Sequence, residues 1–328
     1  MKRRTRIIYI VSILILLATF FLSLTVGRYS ISIEEIINII TGKEVGSMAK
    51  NVFYNLRLPR VIMALLAGIG LSMAGSIYQT IFKNPLAAPD LIGVSSGATA
   101  GAAIAIVWFQ GGMLTSIFSS FTGGIIAVMA VMGLAGLIKQ RSAATYVLSG
   151  IAIKAIADSI IMAMKYFADP ERQLASIDYW TMGSFSNITL TKFKWVLPIF
   201  LLGFIGIIIL RWQINLLSLE DDEAKMLGVR VGFTRALVLI NSTLLVASTV
   251  SVTGVISFVG LVSPHIARML MKKSDFSTCI LSGIVGGIII MFSDLIARSL
   301  GSSEIPISIV TSIIGVPFLV YLLYKQGR

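Results

Sequence analysis

The sequence predicts an all-α polytopic membrane protein with ten transmembrane helices in a single domain, residues 1–328, with both termini in the cytoplasm. Of its 328 residues, 56% are hydrophobic and only 13% are charged, whereas soluble domains are about 45–50% apolar and about 25% charged. The mean hydropathy is +0.91, and long apolar runs recur along the whole chain. Ten spans of about 20 residues take roughly 200 residues, which leaves short loops and no room for a soluble catalytic domain.

The first span is the apolar run from Ile7 to Val26, which follows four basic residues, Lys2, Arg3, Arg4 and Arg6. A signal peptide has a shorter apolar core and a small-residue cleavage site, and the sequence Leu24–Gly27 is a poor cleavage site. We therefore expect a transmembrane helix that begins in the cytoplasm.

The nine further spans follow at intervals that leave only short loops. The stretch 233–270 is divided near Gly254, because one helix of that length would overshoot the bilayer. An even number of spans places both termini on the same side. The predicted spans are 59–81, 93–109, 116–138, 144–166, 193–212, 233–253, 256–270, 277–298 and 305–324.

The charge distribution agrees with this topology. The formal net charge is +12, from 27 basic and 15 acidic residues. The topology puts 16 of the 27 basic residues in the cytoplasm, 9 outside and 2 within a span, the direction of the positive-inside rule. The basic excess therefore indicates contact with anionic lipid rather than nucleic acid. Cys279 is the single cysteine, which excludes an internal disulfide and a multi-cysteine metal site.

Two irregular segments carry a family resemblance. Pro85 and Pro89 must interrupt any helix within 84–97, and irregular backbone near a membrane has to pack in protein or line water. The second segment, 254–268, is followed by the sequences DLIAR at 294–298 and EIPI at 304–307. From about Leu56 to the C-terminus, these segments and the ten-span layout resemble the permease subunits of bacterial ABC importers for iron–siderophores, haem and vitamin B12.

This resemblance implies partners and a location in the bacterial cytoplasmic membrane. Two permease subunits, identical or paralogous, would surround a central pathway, with two ATP-hydrolysing subunits below and a substrate-binding protein outside. ATP and Mg²⁺ would bind the partner ATPase, since this chain has no Gly-x-x-x-x-Gly-Lys-Ser/Thr loop. We expect a transport subunit that is not an enzyme, holds no metal and imports a ferric siderophore, with haem or cobalamin as the alternatives.

Three arginines are candidates for docking the binding protein. Arg57 and Arg60 flank Pro59 at the start of the second span, and Arg298 ends the ninth. The resemblance implies that they meet acidic residues on the binding protein, while interfacial anchoring is the alternative. Asp294 lies one helical turn before Arg298 and can pair with it, so Arg57 and Arg60 are the stronger candidates.

A short helix is predicted in the loop 213–232. Ser218 and Asp221 fit a capping box, acidic residues suit the positive end of a helix, and Gly228 fits its stop. The helix is either an ordinary solvated loop helix or the coupling helix that inserts into the ATPase subunit. The resemblance favours the second reading and assigns it Glu220, Asp221, Asp222, Glu223, Ala224, Leu227 and Gly228.

The fifth span carries three charges, Lys154, Asp158 and Lys165, which fall within about 40° on one helical face. Charges inside a span generally face the bundle interior or water. Lys154 and Asp158 form either a local ion pair or part of the translocation pathway that the resemblance assigns to this helix. The resemblance also implies a cytoplasmic gate just before it, at Ser142, Ala143 and Ala144.

Two other classes of function stay open from the residues alone. An ion-coupled secondary transporter would use Asp158 and Asp294 to carry protons, whereas a membrane-embedded enzyme is disfavoured because no nucleophile–base pair is visible. His265 is the only histidine and has no neighbouring carboxylate or thiol in the sequence. It is therefore expected to be structural rather than a metal ligand.

Overall fold

The computed structural model describes residues 2–27, 29–110, 112–138, 143–300 and 303–326, and within these ranges the chain is helical without any strand. Short π and 3₁₀ turns, Phe53–Arg57 and Pro89–Ile92, precede α4 and α5. The helices are α1 (Lys2–Thr25), α2 (Ile33–Ile40), α3 (Ser47–Val52), α4 (Leu58–Ile81), α5 (Val94–Val107), α6 (Met113–Leu137), α7 (Ala143–Phe167), α8 (Gln173–Met182), α9 (Leu190–Ile209), α10 (Arg211–Leu216), α11 (Asp221–Met226), α12 (Val231–Thr253), α13 (Val259–Met271), α14 (Phe276–Ser299) and α15 (Ile307–Gln326).

The all-α membrane class is confirmed. Among the described residues, seven apolar helical segments are long enough to cross a bilayer. Three shorter apolar stretches accompany them, namely α5, α13 and the part of α15 at Ile307–Leu322. Each predicted span overlaps one of these ten segments. The second span is longer than predicted, because helix continues unbroken from Ser47 to Ile81. The short helices α2, α3, α8 and α10 were not predicted.

The centre of the molecule is α4, which packs against α12, α13 and α14. Small residues allow this packing, as expected for helices that associate in lipid. A Cβ on Gly75 would overlap the carbonyl oxygen of Gly260, and one on Gly68 would overlap that of Gly286. The backbones of α4, α13 and α14 therefore touch, which fixes the position of the functional side chains at both ends of α4.

A second layer is formed by α5, α6 and α7. The 3₁₀ turn ends at Gly93, whose φ of 79° is left-handed, and α7 packs closely on this turn at Gly150. The opposite face of α7 is uncovered, and Leu148, Ile151 and Tyr166 are exposed there. This layer therefore presents an apolar surface with no partner in the single chain.

The break predicted near Gly254 is confirmed. Gly254 ends α12 with a φ of 71°, and the chain turns through residues 255–258 before α13 begins. The turn is held by α8 and its following residues, because Ser184 N donates to Thr253 O (2.7 Å) and Ile307 N donates to Gly183 O (3.0 Å). Helix α8 is thereby fastened to the ends of α12 and α15.

Candidate functional site

Arg57 closes the end of the first membrane helix. Its Nη1 donates to the carbonyl oxygens of Leu24 (3.0 Å) and Thr25 (2.8 Å), and its Nη2 donates to Tyr29 O (2.7 Å). The last carbonyls of a helix have no partner within the helix, so this buried guanidinium caps α1. The contacts give Arg57 a definite structural role.

Arg60, one turn further along, is held by two carboxylates. Its Nε and Nη2 donate to Asp294 (2.8–3.2 Å), and its Nη1 and Nη2 donate to Glu304 (2.9–3.0 Å). The Asp294 side chain is 3% exposed and that of Glu304 is 21% exposed. Bidentate arginine–carboxylate pairs are among the strongest hydrogen-bonded contacts in proteins, so Arg60 joins the start of α4 to the end of α14 and to the approach to α15.

Arg298 completes the cluster. Its Nη2 donates to Ser23 O (2.7 Å), and its Nε lies 3.7 Å from Asp294. Asp294 therefore pairs mainly with Arg60. The sequence predicts instead that Asp294 pairs with Arg298, and it ranks Arg298 last for that reason. All three arginines border a cavity of about 240 Å³, yet each is bonded within the chain. Their part in docking stays a prediction.

At the other end of the molecule, α11 is the predicted short loop helix. The predicted cap at Ser218 is wrong, because Ser218 Oγ donates to Asn215 O (2.6 Å). The cap is Glu220, which forms a reciprocal capping box with Glu223. Gly228 follows the helix with a φ of 83°, which confirms the predicted stop.

Two basic residues from other elements fix α11 to the membrane helices. Lys83 lies 2.9 Å from Glu220, and the almost fully buried Arg235 of α12 lies 2.9 Å from Asp221. Ala224 is buried beneath the helix, whereas Leu227 is exposed. On the solvent side, a hydrogen bond from Lys225 lowers the pKa of Asp222 and raises the pKa of Lys225. The result is a rigidly mounted helix with an uncovered face.

The three charges of α7 do not form one network. Lys154 Nζ lies 2.8 Å from Asp158, and both side chains are about 40% exposed in the single chain (39% and 40%). Lys165 instead reaches α8, where its Nζ lies 2.6 Å from Asp178. The sequence missed this second pair because α8 had not been predicted. Of the gate residues, Ala143 and Ala144 begin α7 and Ser142 lies outside the described residues.

His265 sits in a small polar cluster on α13. Its Nδ1 is 3.2 Å from Leu261 O and 3.2 Å from Arg268 Nη2, and that guanidinium also donates to Gln79. Within the described part of the chain, no group of three His, Cys, Asp or Glu residues could hold a metal ion. The contacts of His265 lie within α13, and Arg268 is the residue that joins this helix to α4.

Comparison with known proteins places the chain in a family. Residues 15–325 match the FecCD transport family. The chain is 38% identical to the molybdate import system permease protein MolB of Haemophilus influenzae, over 96% of this chain and 94% of that one. It is 35% identical to the probable iron chelatin transport system permease protein of Helicobacter pylori, over 91% and 92%.

A solved structure supports the same family assignment. An ABC transporter described as metal-chelate type, in an inward-facing conformation, matches with a TM-score of 0.85 and 35% identity over 98% of this chain and 99% of that chain. This excludes the secondary transporter and membrane enzyme that the residues alone left open. The chain therefore belongs to the FecCD transport family and is the permease subunit of an ABC importer, a multi-pass membrane protein that does not itself hydrolyse ATP.

Proposed function

We propose that this permease imports a metal chelate, and that its substrate is a ferric siderophore. The observation that carries the proposal is its similarity, over nearly the whole chain, to an iron chelatin permease and to a transporter of metal-chelate type. A second candidate is the molybdate oxyanion, because the permease MolB is 38% identical. Haem and cobalamin are further alternatives within the same family.

The substrate is tested through the cognate binding protein. We expect native mass spectrometry of that protein, purified from iron-limited cells, to reveal a bound ferric chelate. Transport of ⁵⁵Fe-siderophore into vesicles should then require the permease, the ATPase and the binding protein together. Bound molybdate, with transport of ⁹⁹Mo and not of iron, would select the second candidate instead.

All ten apolar helices cross the membrane in this proposal, and both termini are cytoplasmic. The shorter α13 has 13 residues and therefore spans about 20 Å. Residues 255–258, which precede it, cover the rest of the membrane thickness. In intact cells, Lys43→Cys between α2 and α3 should react with a membrane-impermeant thiol reagent. Lys225→Cys on α11 should react only after permeabilisation, and the reverse pattern would refute the orientation.

The Lys154–Asp158 pair supports a second permease subunit. Both side chains are about 40% exposed in the single chain (39% and 40%), although they lie in the middle of an apolar span. Exposed charges at that depth are costly unless they face protein or water. We propose that they line the pathway between two subunits, together with Lys165, and that Ala143, Ala144 and Ser142 close it.

Cysteine chemistry tests this pathway. With Cys279 replaced by serine, Asp158→Cys should react with a water-soluble thiol reagent in at least one state of the transport cycle. Ile156→Cys, exposed on the opposite side of α7 from Asp158, is the matched comparison and should stay unlabelled. Ala144→Cys should cross-link two subunits in the closed state. Absence of both the labelling and the cross-link would refute the assignment of α7 to the subunit interface.

We propose that α11 is the coupling helix and contacts the ATPase, which would hold ATP and Mg²⁺. Support comes from its rigid mounting and from Met226 and Leu227, which are 87% and 54% exposed. Met226→Glu should release the ATPase in co-purification. Glu223→Gln keeps an acceptor for the capping box and serves as the control, so equal loss in both variants would contradict the contact.

We also propose that the outer arginines receive acidic groups of the binding protein. Because Arg57 and Arg298 cap α1 and Arg60 pairs with the buried Asp294, substitution of any of the three would disturb the fold. Glu304→Gln keeps the Arg60–Asp294 pair and removes one negative charge beside Arg60. It should speed association of the binding protein at low salt, an electrostatic effect that salt weakens. An unchanged association rate across a salt titration would refute it.

A further inference from the structure

A cavity of about 590 Å³ opens at the end of the helix bundle opposite to α11. It is bounded by the last turns of α5 and α12, the first turns of α6 and α9, and one side of α8. Its size is typical of sites for small ligands, which span about 300–1,000 Å³. Nothing in the docking, coupling or pathway assignments uses this cavity.

The polar lining of the cavity is suited to an anion. The polar side chains there include Ser116, Ser176, Tyr179, Asn187 and Lys192. The three hydroxyls already donate within the chain, to Gly112 O, Arg172 O and Ser184 Oγ. Asn187 and Lys192 are therefore the donors that can turn to an external group. In the described part of the chain, no carboxylate lines the cavity. A phosphate group accepts hydrogen bonds and bears negative charge, so it matches an amide donor beside one cation.

Lys192 is the cation in this lining. Among the described residues, no carboxylate oxygen lies within 4 Å of Lys192 Nζ, whereas Lys154 and Lys165 each have one. The side chain is also partly buried. A partly buried cation without an opposing charge is costly, and an external anion in the cavity would relieve that cost.

The surroundings of the cavity match a lipid head group. On the same two helices, Phe118 of α6 and Trp195 of α9 pack edge to face, with ring centroids 5.5 Å apart. Both rings are exposed on the outside of the bundle, and Trp195 lies one helical turn into the span from Lys192. Aromatic side chains next to a basic residue are typical of the level where lipid head groups meet acyl chains.

We propose that this cavity binds the phosphate head group of an anionic phospholipid, with Lys192 as its charge partner and the Phe118–Trp195 pair against its acyl chain. One lysine near a membrane surface contributes about 1 kcal/mol to the attraction of anionic lipid, which corresponds to about a fivefold change in affinity. The site thus favours lipids with a net negative head group over zwitterionic ones.

Native mass spectrometry of the full-length protein in detergent tests the proposal, by titration with phosphatidylglycerol and with phosphatidylcholine. We expect tighter binding of phosphatidylglycerol, reduced about fivefold in Lys192→Gln. Lys194→Gln, an exposed lysine two residues away, is the matched control and should bind as the wild type does. Ala175→Trp, which fills the cavity without changing its charge, should weaken phosphatidylglycerol binding as well.

Three outcomes would overturn the proposal. Equal affinities in Lys192→Gln and Lys194→Gln would show that the lysine is not the charge partner. Full phosphatidylglycerol binding in Ala175→Trp would show that the lipid lies elsewhere. Binding of inorganic phosphate that depends on Lys192, without binding of phosphatidylglycerol, would identify a site for a free oxyanion and not for lipid.

Discussion

Replacement of Arg60 by methionine should be among the most destabilising single changes near the start of α4. The guanidinium is the main partner of Asp294, whose side chain is only 3% exposed. Removal of one member of a buried ion pair costs about 3–5 kcal/mol, because the other charge is left buried and uncompensated. We expect the lower limit, about 3 kcal/mol, since Arg298 Nε stays 3.7 Å from Asp294 and Glu304 can turn towards water.

The free energy of unfolding, measured by denaturant titration in mixed detergent micelles, checks this value. The double variant Arg60→Met, Asp294→Asn removes the orphaned charge and should recover about half of the loss, about 1.5 kcal/mol. Arg172→Met, at an exposed arginine between α7 and α8, is the control and should change stability by less than about 0.5 kcal/mol. A single variant as stable as this control, or a double variant less stable than the single one, would refute the reasoning.

Two further changes probe the packing and the caps. Gly75→Val should lower the thermal midpoint sharply, because its side chain would collide with the Gly260 backbone; full stability would contradict the close approach of α4 and α13. Asp275 caps α14, and hydrogen bonds led by the one from Lys273 outweigh burial and lower its pKa to about 2. The stability advantage of wild type over Asp275→Asn should therefore be full above pH 4 and disappear as the pH falls towards 2, whereas a constant difference would exclude the ion as its source.

The membrane spans could be predicted because hydropathy is a local property of the sequence. The break near Gly254 followed from the thickness of the bilayer, and the stop at Gly228 followed from helix-capping chemistry. Both glycines have a positive φ in the structure. The sequence reasoning missed α8 because Gln173–Met182 has neither span length nor an apolar stripe, and this helix depends on packing against α5.

The side-chain partners could not be predicted for a different reason. Arg60 is separated from Asp294 by 234 residues and from Glu304 by 244, so no local pattern connects them. Helical spacing predicts that Asp294 pairs with its i,i+4 neighbour Arg298. In the structure the tertiary contact with Arg60 is the shorter one. Ser218 likewise fits the N-cap of α11 by sequence. In the structure its hydroxyl donates instead to the carbonyl oxygen of Asn215 at the end of α10.

Arg235 joins the two elements that the proposed function requires to move together. Its Nη2 donates to Asp221 of α11 (2.9 Å), and its guanidinium lies over the ring of Tyr146 in α7, 5.6 Å from the centroid. A buried cation–π contact contributes about 2 kcal/mol. In the proposed function, this one side chain would transmit a displacement of α11 to the start of α7, three residues from Ala143.

Arg235→Lys should therefore separate ATP hydrolysis from transport. Lysine keeps the positive charge that pairs with Asp221, but it lacks the planar guanidinium that also lies over the Tyr146 ring. The contact with α11 should therefore persist while the contact with α7 weakens. We expect the assembled importer to retain its ATPase subunits and its basal hydrolysis, with transport per ATP reduced several-fold. Tyr146→Leu, which removes the ring and leaves Asp221 paired, should give the same loss, and the two effects should not add in the double variant because they break one contact. Additive losses, or normal transport in Tyr146→Leu, would show that Arg235 only holds α11 in place.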